Sequence, residues 1–161
     1  MTLADLTTSA QAPPIQAEAI ALLSADHQHF SDLFAEYTTA STPADKKRIV
    51  ADLCAGLSVH VQLEEEIFYP AFQKALNDKA LVPEALVEHE SLQNLIDQVQ
   101  GLEPVGEMFD ARIKVLSEFV THHVKEEQCE MFPKAQGSSM DLYALGAQML
   151  SRKAELLSKQ C

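Results

Sequence analysis

Tryptophan is absent from this chain, glycine occurs five times in 161 residues, and aromatic residues make up 6%. Asn-Gly and Asp-Gly hairpin pairs are missing, as are long runs of period two, so nothing supports a β-sheet fold. Cysteine is scarce: Cys54, Cys129 and Cys161 are odd in number and lack paired spacing. That argues against a disulfide framework and makes a reducing cytoplasm the default expectation. No apolar run approaches the roughly 18 residues that a membrane span needs. The opening stretch MTLADLTTSAQAPPIQ has neither a basic segment nor a continuous apolar core, so it does not read as a secretory signal. Basic residues are outnumbered 24 to 12, giving a formal net charge of −12. Nucleic acid and anionic membranes are therefore poor partner candidates, because both recruit positive patches.

What is present favours helices. Hydrophobic residues make up 47% of the chain, and Ala, Leu, Glu, Lys and Gln dominate long stretches, which are strong helix formers. The length fits one domain with a substantial core. Residues 1–15, rich in Thr, Ser, Ala and Pro, read as a flexible arm. Five helices are predicted after it, at about Ile15–Tyr37, Pro43–Leu76, Pro83–Gly101, Glu107–Phe132 and Met140–Lys159. Thr42-Pro43 is a helix-start signal, because proline at the first helical position lacks only an N–H that would be orphaned anyway. Pro70 is expected to bend the second helix or end its regular part. Short turns between amphipathic helices predict an all-α fold, an up-down-up-down four-helix bundle over 16–136. The additional C-terminal helix, 137–161, is expected to pack on the bundle. Its apolar face of Leu142, Leu145, Met149 and Leu156 suits either core completion or a dimer interface.

One pattern occurs twice. His60-x-x-x-Glu64 stands ten residues before Pro70, measured from the histidine, and His123-x-x-x-Glu127 stands the same distance before Pro133. An acidic-His pair precedes each, Asp26-His27 and Glu88-His89. His and Glu at i and i+4 share a helix face about 6 Å apart along the axis. The imidazole can then bind one ion while the carboxylate reaches toward a second. His27, His60, Glu64, His89, His123 and Glu127 all fall on otherwise apolar stripes: Leu23, Phe30 and Phe34 with His27; Leu53, Leu57 and Ile67 with His60; Leu86, Leu92 and Ile96 with His89; Leu116, Phe119 and Val120 with His123. Burying six such groups without partners would be costly, and a pair of metal ions removes the cost. Nitrogen and oxygen donors without thiolate suit Fe, Mn or Zn.

A competing register, His122 with Glu126, also has i, i+4 spacing. The repeat favours His123, because a shift of 63 residues overlays Leu53 on Leu116 and Leu57 on Val120. His29 and His122 are expected to be packed, hydrogen-bonded and metal-free. Glu65 reads as part of a solvated acidic run, and Tyr69 and Glu90 do not point clearly inward. Cys54 reads as a small buried hydrophobe, and Cys129 is expected to face away from the metal ligands.

With Asp26-His27, His60-Val-Gln-Leu-Glu64-Glu-Glu-Ile-Phe-Tyr-Pro70, Glu88-His89 and His123-Val-Lys-Glu-Glu127-Gln-Cys-Glu-Met-Phe-Pro133, the chain resembles the hemerythrin-like family of HHE cation-binding domains over roughly 16–136. The resemblance implies a four-helix bundle around two non-haem iron ions, bridged by an oxo or hydroxo group and two carboxylates. The oxygen carriers of this family have a further His where this chain has Gln93, and a His and Asp five apart where it has His123 and Glu127. The four-His, two-Glu set is closer to the iron–sulfur repair type. That type usually carries an N-terminal cysteine module, whereas the short arm here has no cysteine. Without a fifth histidine each iron would be about five-coordinate, leaving an open position.

Three readings of function follow, all set in the cytoplasm. The first is a binding protein that handles iron, O2 or NO in sensing, storage or carriage. The second is an enzyme acting on peroxide or NO, or delivering iron to damaged clusters. A third, a metal-free interaction bundle, would leave the histidines without ions. The expected partners are metal ions with a small diatomic ligand or peroxide, and the expected state is a monomer or weak homodimer.

Overall fold

The computed structural model describes residues 18–160, and the predicted 1–15 arm and Cys161 lie outside them. Seven α-helical segments make up the described chain: α1 (Ala19–Thr39), α2 (Pro43–Leu63), α3 (Tyr69–Leu76), α4 (Leu81–Val99), α5 (Glu107–Glu126), α6 (Phe132–Gln136) and α7 (Leu142–Ser158). Two π-helical turns, Glu64–Phe68 and Glu127–Met131, join α2 to α3 and α5 to α6. The long rods are therefore four, in a four-helix bundle: α1, α2 with α3, α4, and α5 with α6. α1 packs on α2 and α4 on α5, while α7 lies across α1 and α2.

Local chemistry sets the boundaries. Thr42 Oγ1 accepts from the Asp45 amide at 3.2 Å, with Pro43 in the first turn. Asn77 closes α3 in the left-handed conformation at φ 48°. Asp78 then accepts from the amides of Leu81 and Val82 at 3.1 and 2.8 Å and starts α4. Gly101 and Gly106, at φ 75° and 89°, shape the turn into α5. Asp141 caps α7 through the Ala144 amide at 3.0 Å.

The second rod loses its regularity ahead of Pro70, as expected, and the fourth, expected to run as one helix to Phe132, does so from Glu127. Each prolines' missing N–H and ring disrupts the α-helical ladder one turn upstream. The chain answers with a wider turn, in which the amides of Tyr69 and Phe132 reach back to the carbonyls of Glu64 and Glu127. Such a turn holds one extra residue and retards the phase of everything after it. Two residues expected on inner faces are also largely outside: Leu86 is 38% and Phe119 41% exposed. Each sits at the edge of its stripe, three residues before His89 or four before His123, where the apolar arc meets solvent.

The core divides in two. One cluster holds Leu23, Leu63, Phe68, Phe72, Met131 and Phe132, and receives Met149 and Leu156 from α7. The other holds Phe30, Leu53, Leu57, Leu92, Ile96, Leu116 and Val120. Along each rod the ligand-type residues lie between the members of the two clusters, so the polar layer is sandwiched between apolar ones. Gly56 permits close packing beside this layer, since a Cβ there would come within 2.9 Å of Phe30 Cε1.

Candidate metal centre

His27 comes from α1, His60 from α2, His89 from α4 and His123 from α5, while Glu64 and Glu127 open the two π-helical turns. All six are buried, with Glu64 at 0% exposure and none above 4%. They converge as two triads, His27 with His60 and Glu127, and Glu64 with His89 and His123, whose ligand atoms lie within 4.8 Å of one another. The glutamates reach across both. Glu64 Oε1 is 3.0 Å from His60 Nε2, 3.5 Å from His89 Nε2 and 3.8 Å from His123 Nε2. Glu127 Oε1 is 3.3 Å from His27 Nε2 and 3.1 Å from His123 Nε2.

The donor set suits cations. His27 Nε2, His60 Nε2, both Glu64 oxygens and Glu127 Oε1 are buried without a hydrogen bond. Orphaned polar atoms are rare in protein interiors, and here they face one another across a small volume. Nitrogen and carboxylate oxygen donors fit first-row divalent metals and leave no role for thiolate. The model for the hemerythrin HHE cation binding domain matches residues 18–135.

The chain belongs to this family.

Among solved structures, an HHE cation binding domain-containing protein of Mycobacterium kansasii is similar in fold, with a TM-score of 0.76 at 19% identity and 89% of each chain covered. Among curated proteins, a DNA nickase of Nostoc sp. is 24% identical over 107 residues. That match spans 66% of this chain and 30% of the nickase.

A second layer of polar groups orients the ligand-type histidines of this HHE domain. Asp26 Oδ2 is 3.0 Å from His60 Nδ1, Glu65 Oε1 is 2.9 Å from His89 Nδ1, and Glu88 Oε1 is 3.2 Å from His123 Nδ1. A carboxylate only accepts, so each Nδ1 carries the proton and each Nε2 faces inward. His27 differs, with the Gln128 amide 3.4 Å from its Nδ1. Glu65, expected in a solvated run, is thus a partner of His89 while its side chain stays 41% exposed. Asp26 is held in turn by Lys153 of α7, Nζ to Oδ1 2.7 Å. Burial raises the Asp26 carboxyl, but His60 and Lys153 bring it below its ordinary range.

Tyr69 corrects a second expectation. Nine residues after His60, a regular α-helix would place it on the opposite face. The π-helical turn swings it inward, leaving it 1% exposed. Its hydroxyl donates to Glu127 Oε2 at 3.2 Å and lies 3.3 and 3.4 Å from the Nε2 atoms of His89 and His123. Burial and the two glutamates push the phenol well above its ordinary value, so it is a neutral O–H in the metal-free protein. A Pro ten residues after the first His of the repeat was the available signal for this rotation.

The remaining candidates lie outside the centre. His29 and His122 are at the surface, not packed as expected. His122 and Glu126 pair at 3.2 Å with the histidine side chain 64% exposed. Cys54 is buried and Cys129 exposed. Burial, with the charge of Asp97, pushes the Cys54 thiol up to about 11.

Asp26→Asn is expected to weaken metal binding about 10- to 100-fold, the usual cost of losing a partner behind a ligand histidine. Competition for metal against a chromophoric chelator measures it. Lys153→Ala is expected to act in the same direction with a smaller effect, because it loosens Asp26 and leaves the Asp26–His60 bond in place.

Proposed function

We propose that this chain holds two non-haem iron ions, with His27, His60 and Glu127 around one and Glu64, His89 and His123 around the other. Within the 16–136 domain, the described residues 18–136 form the metal-holding bundle, and 137–160 brace it through the contact of Lys153 with Asp26 of α1. The protein handles iron, O2 or NO by binding, in sensing, storage or carriage. Iron would supply a redox-active Lewis acid for a diatomic ligand or peroxide. The supporting observation is the convergence of five buried, unsatisfied donor atoms between two apolar cores. The residues' own part is to hold the ions, exclude water and fix the imidazoles through their Nδ1 protons.

A second reading, an enzyme that turns over peroxide or NO, draws support from one feature. The Tyr69 hydroxyl is a buried proton donor within 3.4 Å of the second triad. Protein expressed with added iron separates the cases. About two irons per chain and a near-ultraviolet charge-transfer band support the centre. Little peroxide or NO consumption then supports binding, and iron-dependent consumption supports the enzyme. No iron, or zinc alone, overturns the di-iron reading.

Metal uptake should release protons. Burial alone would lower His60, but the Glu64 charge and the Asp26 bond bring it up to about 10. His123 is likewise opposed by burial and carried up to about 12 by Glu127, Glu64 and Glu88. Both imidazoles are therefore charged in the metal-free protein at neutral pH and must lose a proton to bind. Loading at pH 7 in weak buffer is expected to release about two protons per chain, read with a pH indicator.

A further inference from the structure

The acids behind two of the ligand-type histidines are related by the internal repeat, yet their outer oxygens meet different partners. Asp26 bonds His60 and Glu88 bonds His123, each through one carboxylate oxygen, and each side chain is 16% exposed. The other Asp26 oxygen, Oδ1, meets the Lys153 ammonium of α7 at 2.7 Å. No lysine or arginine among the described residues pairs with Glu88. Its Oε2 faces His122 Nε2 at 3.6 Å instead.

The neighbours of the two acids differ in the same sense. Val59 and Leu63, on the Asp26 side, are buried in the cluster that holds Met149 and Leu156 of α7. A shift of 63 residues puts His122 and Glu126 in their places. Both reach solvent, and they meet at 3.2 Å one helical turn apart. Spacing along α5 gives His122 only Glu126 as a companion donor, and the approach of α4 adds Glu88. The three residues offer a ring nitrogen and two carboxylate oxygens within 4.8 Å of one another. That donor set suits a first-row divalent ion. An ion there would neutralise the outer oxygen of Glu88 as Lys153 neutralises that of Asp26.

A second observation points inward from the same place. A gap of about 10 Å³ has Glu88 and Glu126 on its border, together with His123 and Glu127 of the centre, and Leu81 and Met131 as apolar walls. It has room for about one water-sized particle. Glu127 is 1% exposed and its Oε1 lacks a hydrogen-bond partner. An unsatisfied buried acceptor and the surface triad therefore border one space.

We propose that Glu88, His122 and Glu126 form a third divalent-cation site, at the surface, through which metal is loaded into the centre. The site itself stands on these three residues, and its loading role rests on the metal-centre reading above. Its open side leaves a bound ion partly hydrated and exchangeable, whereas the six central residues enclose theirs. The net charge of −12 raises the local concentration of cations at such a mouth.

Zn²⁺ is the probe for the site and Fe²⁺ the probe for loading. The variant is His122→Ala combined with Glu126→Gln, which replaces none of the six central residues and leaves Glu88 on His123. After dialysis against Zn²⁺, the iron-loaded parent is expected to bind about one more Zn²⁺ per chain than the variant, with equal iron in both. Metal-free protein is then mixed rapidly with Fe²⁺, quenched with a chelator at set times, and its retained iron counted. The variant is expected to fill about tenfold more slowly and to reach the same final iron content, a difference that shrinks in high salt. Glu107→Gln, an exposed acid at the start of α5, removes one negative charge elsewhere and should load within about twofold of the parent. Equal Zn²⁺ counts in parent and variant overturn the surface site. A variant that loses the extra Zn²⁺ and loads as fast as the parent overturns its loading role. A parent that retains no iron overturns the metal-centre reading and the loading role with it, and the Zn²⁺ counts of metal-free parent and variant then decide the surface site by themselves.

Discussion

Glu64→Gln is expected to lower metal content below one ion per chain while leaving the helix content intact. Glu64 is the most enclosed polar residue of the centre, and one of its oxygens faces three histidines. An amide keeps the volume but removes the charge that both ions would share. The same change should weaken the metal-free fold. Removing one partner from a buried charge pair costs about 3–5 kcal/mol. His60 can shed its proton in response, so a loss near 3 kcal/mol at pH 7 is expected in urea denaturation. The pH dependence has a definite sign. His60 and His123 have folded values raised to about 10 and about 12 from an ordinary 6.5. Their stabilisation of the metal-free protein is fully present below pH 6.5 and is lost as pH rises through those folded values. Glu64→Gln should flatten that alkaline decline, because the Glu64 charge is the largest force raising His60. A variant that retained two ions would sink the assigned role of Glu64.

Phe30→Ala should destabilise the fold by about 3–5 kcal/mol, as expected for an aromatic ring removed from a core. Phe30 is 2% exposed, its ring meets the His60 ring edge-on at 5.4 Å, and it fills the space opposite Gly56. It is thus both a core residue and a wall of the polar layer. Phe72→Ala is the control. Phe72 is 1% exposed in the other cluster, where its ring partner is Phe68 and not a ligand-type histidine. The two variants should lose similar stability in denaturant. Metal affinity should fall about tenfold for Phe30→Ala, which frees the His60 ring, and stay near the parent value for Phe72→Ala. Equal affinities would show that the packing around His60 does not position it.

The outline of the centre was legible because it depends on period. Four histidines and two glutamates at helical spacing, repeated on two halves, can share one interior only if the rods form a bundle. The start of α2 was legible for the same local reason, from Thr42-Pro43. The partners of the histidines were less so. Glu65 sits among three consecutive glutamates, and only the approach of α4 selects it over Glu66, which instead pairs with Arg152 of α7 at 2.8 Å. Lys153 and Asp26 are 127 residues apart, and no local pattern links them.

By itself, the sequence determined the helical class, the bundle and the six inward groups, because apolar periodicity and i, i+4 spacing are properties of a single helix. The tertiary structure alone decided how those groups pair into two triads, which acid backs each imidazole and where α7 packs. It also decided the inward turn of Tyr69. That residue's direction depends on a π-helical turn ahead of Pro70, and a change of helical pitch is set by the backbone hydrogen bonds of the folded rod rather than by the spacing of letters.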